Sequence, residues 1–245
     1  MSKSSEKNWW EFYGIRYAQG AVTGAAIVYL LLSQNESLKR LLFLPDDPKD
    51  FGMAHLTLLA IYGLTFCYIS SAPILVLHAG RGLLFKNAIN PTPYKGILSR
   101  MLAMLAIPIG IPLLLMTLKV IDSVGFGAIC SYACILCMQA LIIISIFGSK
   151  WGKSLKYYQE IIKKRQIIDN AEYIESYRHM REHGNSFLIV IFQIFLSFPL
   201  YSICSSGWET PKQTVYILAT IFFWITPAAF IWGYATRIES NLQNL

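Results

Sequence analysis

Residues 124–147 read VGFGAICSYACILCMQALIIISIF, with no Asp, Glu, Lys, Arg or His among them. A spanning helix needs about 20 mainly apolar residues, because lipid offers its backbone no hydrogen-bond partner and the helix must satisfy its own. This stretch meets that demand, and five others approach it. They lie at about 15–33 (IRYAQGAVTGAAIVYLLLS), 54–77, 101–118 (MLAMLAIPIGIPLLLMTL), 186–205 and 213–235. The expected fold is all-α, a polytopic membrane helix bundle of about six transmembrane helices with a helical insert between the fourth and fifth.

Composition supports the same reading. Charged residues are 14% of the chain and hydrophobic residues 55%, whereas a soluble domain carries about 25% charged residues. The mean hydropathy is +0.46. Net charge is +7, but the basic residues cluster at the ends of apolar runs. There they set orientation and meet anionic lipid headgroups, so lipid is the expected partner and nucleic acid is not. All five cysteines, Cys67, Cys130, Cys134, Cys137 and Cys204, fall in or beside apolar segments, unlike a secreted disulfide framework. Met1 to Tyr13 is polar and aromatic and has no cleavable leader pattern, so the first helix is expected to act as the insertion signal.

Lys and Arg fix the expected topology. One side collects Lys3, Lys7, Arg16, Arg81, Lys86, Lys95, Arg100, Lys150, Lys153, Lys156, Lys163, Lys164, Arg165, Arg178, Arg181 and Arg237, which is 16. The other has Lys39, Arg40, Lys49, Lys119 and Lys212, which is 5. The positive-inside rule places both termini in the cytoplasm. Trp9, Trp10 and Trp151 then fall at inner interfaces and Trp208 at the outer one, with Trp224 mid-span.

The expected domains are residues 1–148 (helices one to four), 149–184 (a cytoplasmic amphipathic insert) and 185–245 (helices five and six). Lys119 to Ser123 leaves room only for a tight hairpin. In the external loop 34–53, Ser37 to Leu44 suits a short helix stopped by Pro45. In the insert, Trp151, Leu155, Tyr158 and Ile162 recur at i, i+4, i+7 and i+11, with lysines interleaved. That stripe, with Lys163 and Lys164, is the expected contact for a cytoplasmic protein partner. A second helix is expected from Ala171 to His183, capped by Gly184.

His179-Met180-Arg181-Glu182-His183 matches H-x-x-E-H, in which two histidines one turn apart hold zinc beside a glutamate base. A third ligand is needed, and only Glu175 is near. A solvated helix end is the better reading, so no metal, cofactor or catalytic residue is expected. Cys130, Cys134 and Cys137 line one helix face; a soft-metal site is conceivable there, but small apolar packing fits a straight helix better. Gly20 and Gly24, flanked by Ala21 and Ala25, form a small-residue face for close helix approach, either within the chain or, the favoured expectation, between subunits of a homo-oligomer. Asp46, Asp47 and Asp50 lack calcium-loop spacing and read as a solvated turn. Pro108, Gly110 and Pro112 interrupt the third helix, and with Gln139 they mark a possible pathway. Gln193 is the other deep polar side chain.

In layout, a small multi-helix membrane protein with a basic cytoplasmic insert resembles the membrane components of bacterial stress and anti-phage systems. The resemblance implies a bacterial inner membrane location and a non-enzymatic sensor, effector or pore-forming part that works with a cytoplasmic partner. The alternative is a channel or carrier for a small or lipidic substrate.

Overall fold

The computed structural model describes residues 9–80, 110, 113–114, 116–119, 123–147, 156, 158–160, 163 and 171–243. Among these residues every regular element is helical. Helix α1 spans Trp9–Leu32, α2 Glu36–Leu41, α3 Met53–Ser70, α4 Ala72–Ala79, α5 Ser123–Phe147, α6 Ala171–Cys204 and α7 Thr210–Gln243. A single 3-10 turn covers Pro48–Asp50.

Four stretches are long and apolar enough to cross a membrane: Met53–Ala79, Gly125–Phe147, Gly184–Cys204 and Thr210–Thr236. Their surfaces carry large exposed apolar side chains such as Phe187, Phe222, Phe223 and Trp232. Water would penalise so much exposed apolar area, and lipid does not. Among the described residues the fold is all-helical, and its four long apolar helices are consistent with an integral membrane protein.

Two boundaries differ from the sequence reading. Helix α1 begins at Trp9, ahead of the expected start at 15, and Arg16 is buried within it. Helix α6 does not stop at Gly184 but runs unbroken for 34 residues. A C-capping glycine takes a left-handed conformation, and no described glycine has positive φ. Glycine in a helix costs only about 1 kcal/mol relative to alanine, and the apolar run that follows carries the helix past it.

The chain divides into two compact units, Met1–Ser71 with Glu182–Phe222, and Ala72–Arg181 with Phe223–Leu245. In the first, α1 and α3 pack antiparallel. Tyr17 stacks on Tyr68 with ring centroids 4.9 Å apart, Gly20 faces Cys67, and Gly24 faces Gly63. A Cβ built on Gly63 would strike the Ala21 carbonyl oxygen and come within 2.7 Å of the Ala25 Cβ. The backbones of the two helices therefore touch.

The 33–52 loop of this unit is held by specific bonds. Asn35 caps α2, its Oδ1 accepting from the Leu38 N–H at 3.0 Å. The helix ends in a Schellman turn: the Phe43 N–H donates to the Arg40 carbonyl and the Leu44 N–H to the Lys39 carbonyl. Phe43 takes the left-handed position at φ 56°, and Leu38 and Leu44 are buried on either side of the turn. The helix thus ends before Pro45 is reached. Lys39 Nζ donates to the Asp46 carbonyl at 2.7 Å, and Arg40 Nε meets the Asp46 carboxylate at 3.0 Å. Tyr62 of α3 donates to the Leu42 carbonyl at 3.0 Å, which ties the loop to the bundle.

In the second unit Val76, Ile146, Ala228 and Ile231 form a buried cluster. Ile142 of α5 packs against Gly80, where a Cβ would lie 2.7 Å from its Cγ2. Phe147 packs on Phe230 and Tyr234 at 4.8 and 4.2 Å, and Tyr132 stacks on Trp224 at 5.8 Å. Lys119, in the short connection ahead of α5, adopts φ 56° after a helical turn closed by the Leu118 and Lys119 N–H groups.

Candidate functional site

Polar side chains inside an apolar bundle are the places to look for chemistry, because each must be bonded or be costly. Among the described residues three glutamines are almost wholly buried, and they meet different fates.

Gln193 lies on α6 in the first unit at 0% exposure. Its Nε2 donates to the Gly20 carbonyl at 2.7 Å. A side chain at position 20 or 24 would close that approach, since a Cβ on Gly24 would sit 3.1 Å from Nε2 and overlap the Gly63 carbonyl. Gly20 and Gly24 thus serve a contact within the chain, with α3 on one side and α6 on the other. Of the two contacts the small-residue face allows, within the chain or between subunits, the described neighbours are within the chain: Cys67, Gly63, Ile189 and Gln193.

Gln213, at the start of α7, is 1% exposed. Its Oε1 accepts from Asn35 Nδ2, and its Nε2 donates to the Ser206 carbonyl at 2.8 Å and the Ile203 carbonyl at 3.2 Å. One amide thereby joins the capping residue of α2 to backbone carbonyls at and just beyond the end of α6. The sequence reading missed Gln213 and Asn35, because polar residues at a segment boundary look like ordinary loop residues.

Gln139 behaves otherwise. It sits on α5 in the second unit, three residues beyond the midpoint of the Gly125–Phe147 span, about 4.5 Å along the axis. It is 0% exposed, and neither Nε2 nor Oε1 has a hydrogen-bond partner. The same helix face carries Ala128, Ile135 and Ile146, all buried. Burying an amide unpaired costs about 2–7 kcal/mol, depending on the reference state.

The other sequence candidates are placed as follows. Gly110 is exposed, and nothing lies within 4 Å of a Cβ built there. Pro108 and Pro112 lie outside the described residues; Gln139 is buried. Cys130, Cys134 and Cys137 are free and half-buried. At about 100° of turn per residue they lie on the side of α5 away from Gln139. Among the described residues no group of three or more His, Cys, Asp or Glu is placed to hold a metal ion. His179, Glu182 and His183 fall within α6, with their side chains outside the described part.

Of the insert's stripe, Trp151, Leu155, Ile162 and Lys164 lie outside the described residues. Tyr158 is half-buried, and its hydroxyl lies 3.3 Å from both the His78 and the Ala79 carbonyl. It shares its proton between two carbonyls at the end of α4. Lys156, Glu160 and Lys163 are exposed. At i, i+4 and i+7 they share one helix face, away from the anchored tyrosine.

No family model, curated protein or solved structure matches the chain.

Proposed function

We propose that this is a non-enzymatic membrane protein of six spans with both termini in the cytoplasm. In this reading α1 and the 101–118 segment join the four apolar helices. The protein assembles as an oligomer and acts as a sensor or effector, or as the pore-forming part of a system with a cytoplasmic partner. The layout suits bacterial stress or anti-phage defence.

The observation that carries this reading is the continuity of α6. A helix of 34 residues is about 51 Å long. It joins the charged 171–183 stretch to Gln193 and Leu196, both fully buried. A rigid rod of this kind converts a push on its polar end into a shift of a packed helix. The exposed face of Lys156, Glu160 and Lys163 supplies a charged surface for the partner, while Tyr158 anchors the insert beside α4.

The test is charge reversal of Lys163 and Lys164 to glutamate in cells that depend on the protein. Both variants are expected to insert and fold like the wild type, yet lose the cellular phenotype and lose crosslinking from position 156 to a cytoplasmic protein. Wild-type behaviour would reduce the insert to a linker and favour the second reading. That reading, a channel or carrier for a small or lipidic substrate, draws its support from Gln139, a buried amide at mid-span.

A further inference from the structure

Three buried glutamines offer a comparison internal to the molecule. Gln193 is bonded to a backbone carbonyl through Nε2 alone, its Oε1 being buried without a partner, and Gln213 is bonded through both of its amide atoms. Gln139 has the same chemistry and the same burial, but both of its amide atoms are buried without a partner. A long apolar side chain would fill such a position without any desolvation cost, so the amide calls for a polar counterpart.

The surroundings define what that counterpart can be. Seven residues before Gln139, Tyr132 stacks on Trp224, which is 0% exposed. Seven residues after it, Ile146 joins the cluster with Val76, Ala228 and Ile231. Each neighbour is two helical turns away, about 10.5 Å along the axis. An aromatic stack therefore lies on one side of the amide and an aliphatic cluster on the other. An ion would lose its hydration there with no opposite charge described beside it, whereas a neutral molecule with one donor and one acceptor would satisfy both ends of the amide.

We propose that Gln139 is the binding group of a site for a small neutral molecule that both donates and accepts hydrogen bonds. The chemistry is that of water or of a compact amide or alcohol. The molecule accepts from Nε2 and donates to Oε1, and the Tyr132–Trp224 stack bounds the site on one side. The assignment is independent of the sensor reading, since a structural water and a carried solute would both use it.

The experiment uses the full chain in vesicles of phosphatidylethanolamine and phosphatidylglycerol, labelled with 13C and 15N only at glutamine. The Gln139 side-chain resonance is assigned by its loss in Gln139→Leu, or in Gln139→Met if the leucine variant does not fold. Magnetisation transfer from water is then measured in the wild type, with exposed Gln34 as the wet reference and Gln213, buried and bonded through both amide atoms, as the dry one. Labelled acetamide is titrated in a second arm.

Transfer to Gln139 as fast as to Gln34 identifies water as the occupant. A saturable acetamide shift confined to Gln139 identifies a solute site. Either result supports the proposal. If Gln139 is as dry as Gln213 and indifferent to acetamide, the proposal is overturned. Loss of partner crosslinking from the insert would leave this result untouched, so the two readings fail separately.

Discussion

Replacing Gly63 with alanine tests the tightest contact in the molecule. The new Cβ would lie 2.7 Å from the Ala25 Cβ and closer still to the Ala21 carbonyl oxygen. Carbon atoms pack best at about 3.5–4.0 Å, so α1 and α3 must separate by about 1 Å. Such a gap forfeits a quarter to a half of the dispersion attraction along the contact. Overpacking of this kind costs roughly 1–3 kcal/mol. Because the obstruction is backbone, which cannot rotate away, the upper part of that range is expected. The gain in helix propensity from glycine to alanine returns up to about 1 kcal/mol.

For a chain of this size each kcal/mol moves Tm by roughly 2–4 °C. Gly63→Ala should therefore lower Tm by about 2–8 °C in detergent, followed by the fluorescence of the six tryptophans. Gly127→Ala and Gly233→Ala are the controls, since nothing lies within 4 Å of a Cβ at either position. They should match or exceed the wild type. A Gly63→Ala protein as stable as those controls would refute the backbone contact between α1 and α3.

Asn35→Ala and Gln213→Ala should each cost about 1–3 kcal/mol, since each strands polar groups at a buried position. Because they share one bond, the double variant should lose less than the sum, measured by a thermal double-mutant cycle. Tyr158→Phe removes the hydroxyl at the His78 and Ala79 carbonyls; a loss of roughly 0.5–1.5 kcal/mol is expected, read as faster amide exchange in 72–80, and unchanged exchange would dismiss the anchor. Reporter fusions after Asn87, Lys164 and Leu245 should read cytoplasmic, and those after Asp47 and Trp208 external; a cytoplasmic signal at Asp47 would overturn the six-span topology. Gly184→Pro should break α6 and uncouple the insert, whereas Gly184→Ala should leave it working, as judged by the cellular phenotype of each.

Much of the architecture was legible because the forces behind it are local. A run such as 124–147 declares itself by summing transfer free energies over neighbouring residues, and no distant part of the chain can reverse that sum. The face of Gly20 and Gly24 was equally plain as a place of close approach, since small side chains there serve no other packing purpose. Its partner was not legible. Gly63 and Cys67 are some forty residues away in sequence, and nothing local distinguishes a contact within the chain from one between copies. Gly184 misled for the reverse reason: a glycine that suits a cap also fits a helix interior, and the helix-forming run beyond it prevailed.

The buried glutamines mark the limit most clearly. Sequence alone determined that Gln139 and Gln193 lie deep in apolar helices, at positions where an amide has to be explained. Tertiary structure alone decided that Gln193 meets the Gly20 carbonyl, that Gln213 joins Asn35 to the end of α6, and that Gln139 has neither donor nor acceptor bonded. Burial follows from hydrophobicity averaged over a helix, whereas a hydrogen bond requires one particular atom within about 3 Å, and only the packed chain brings that atom there.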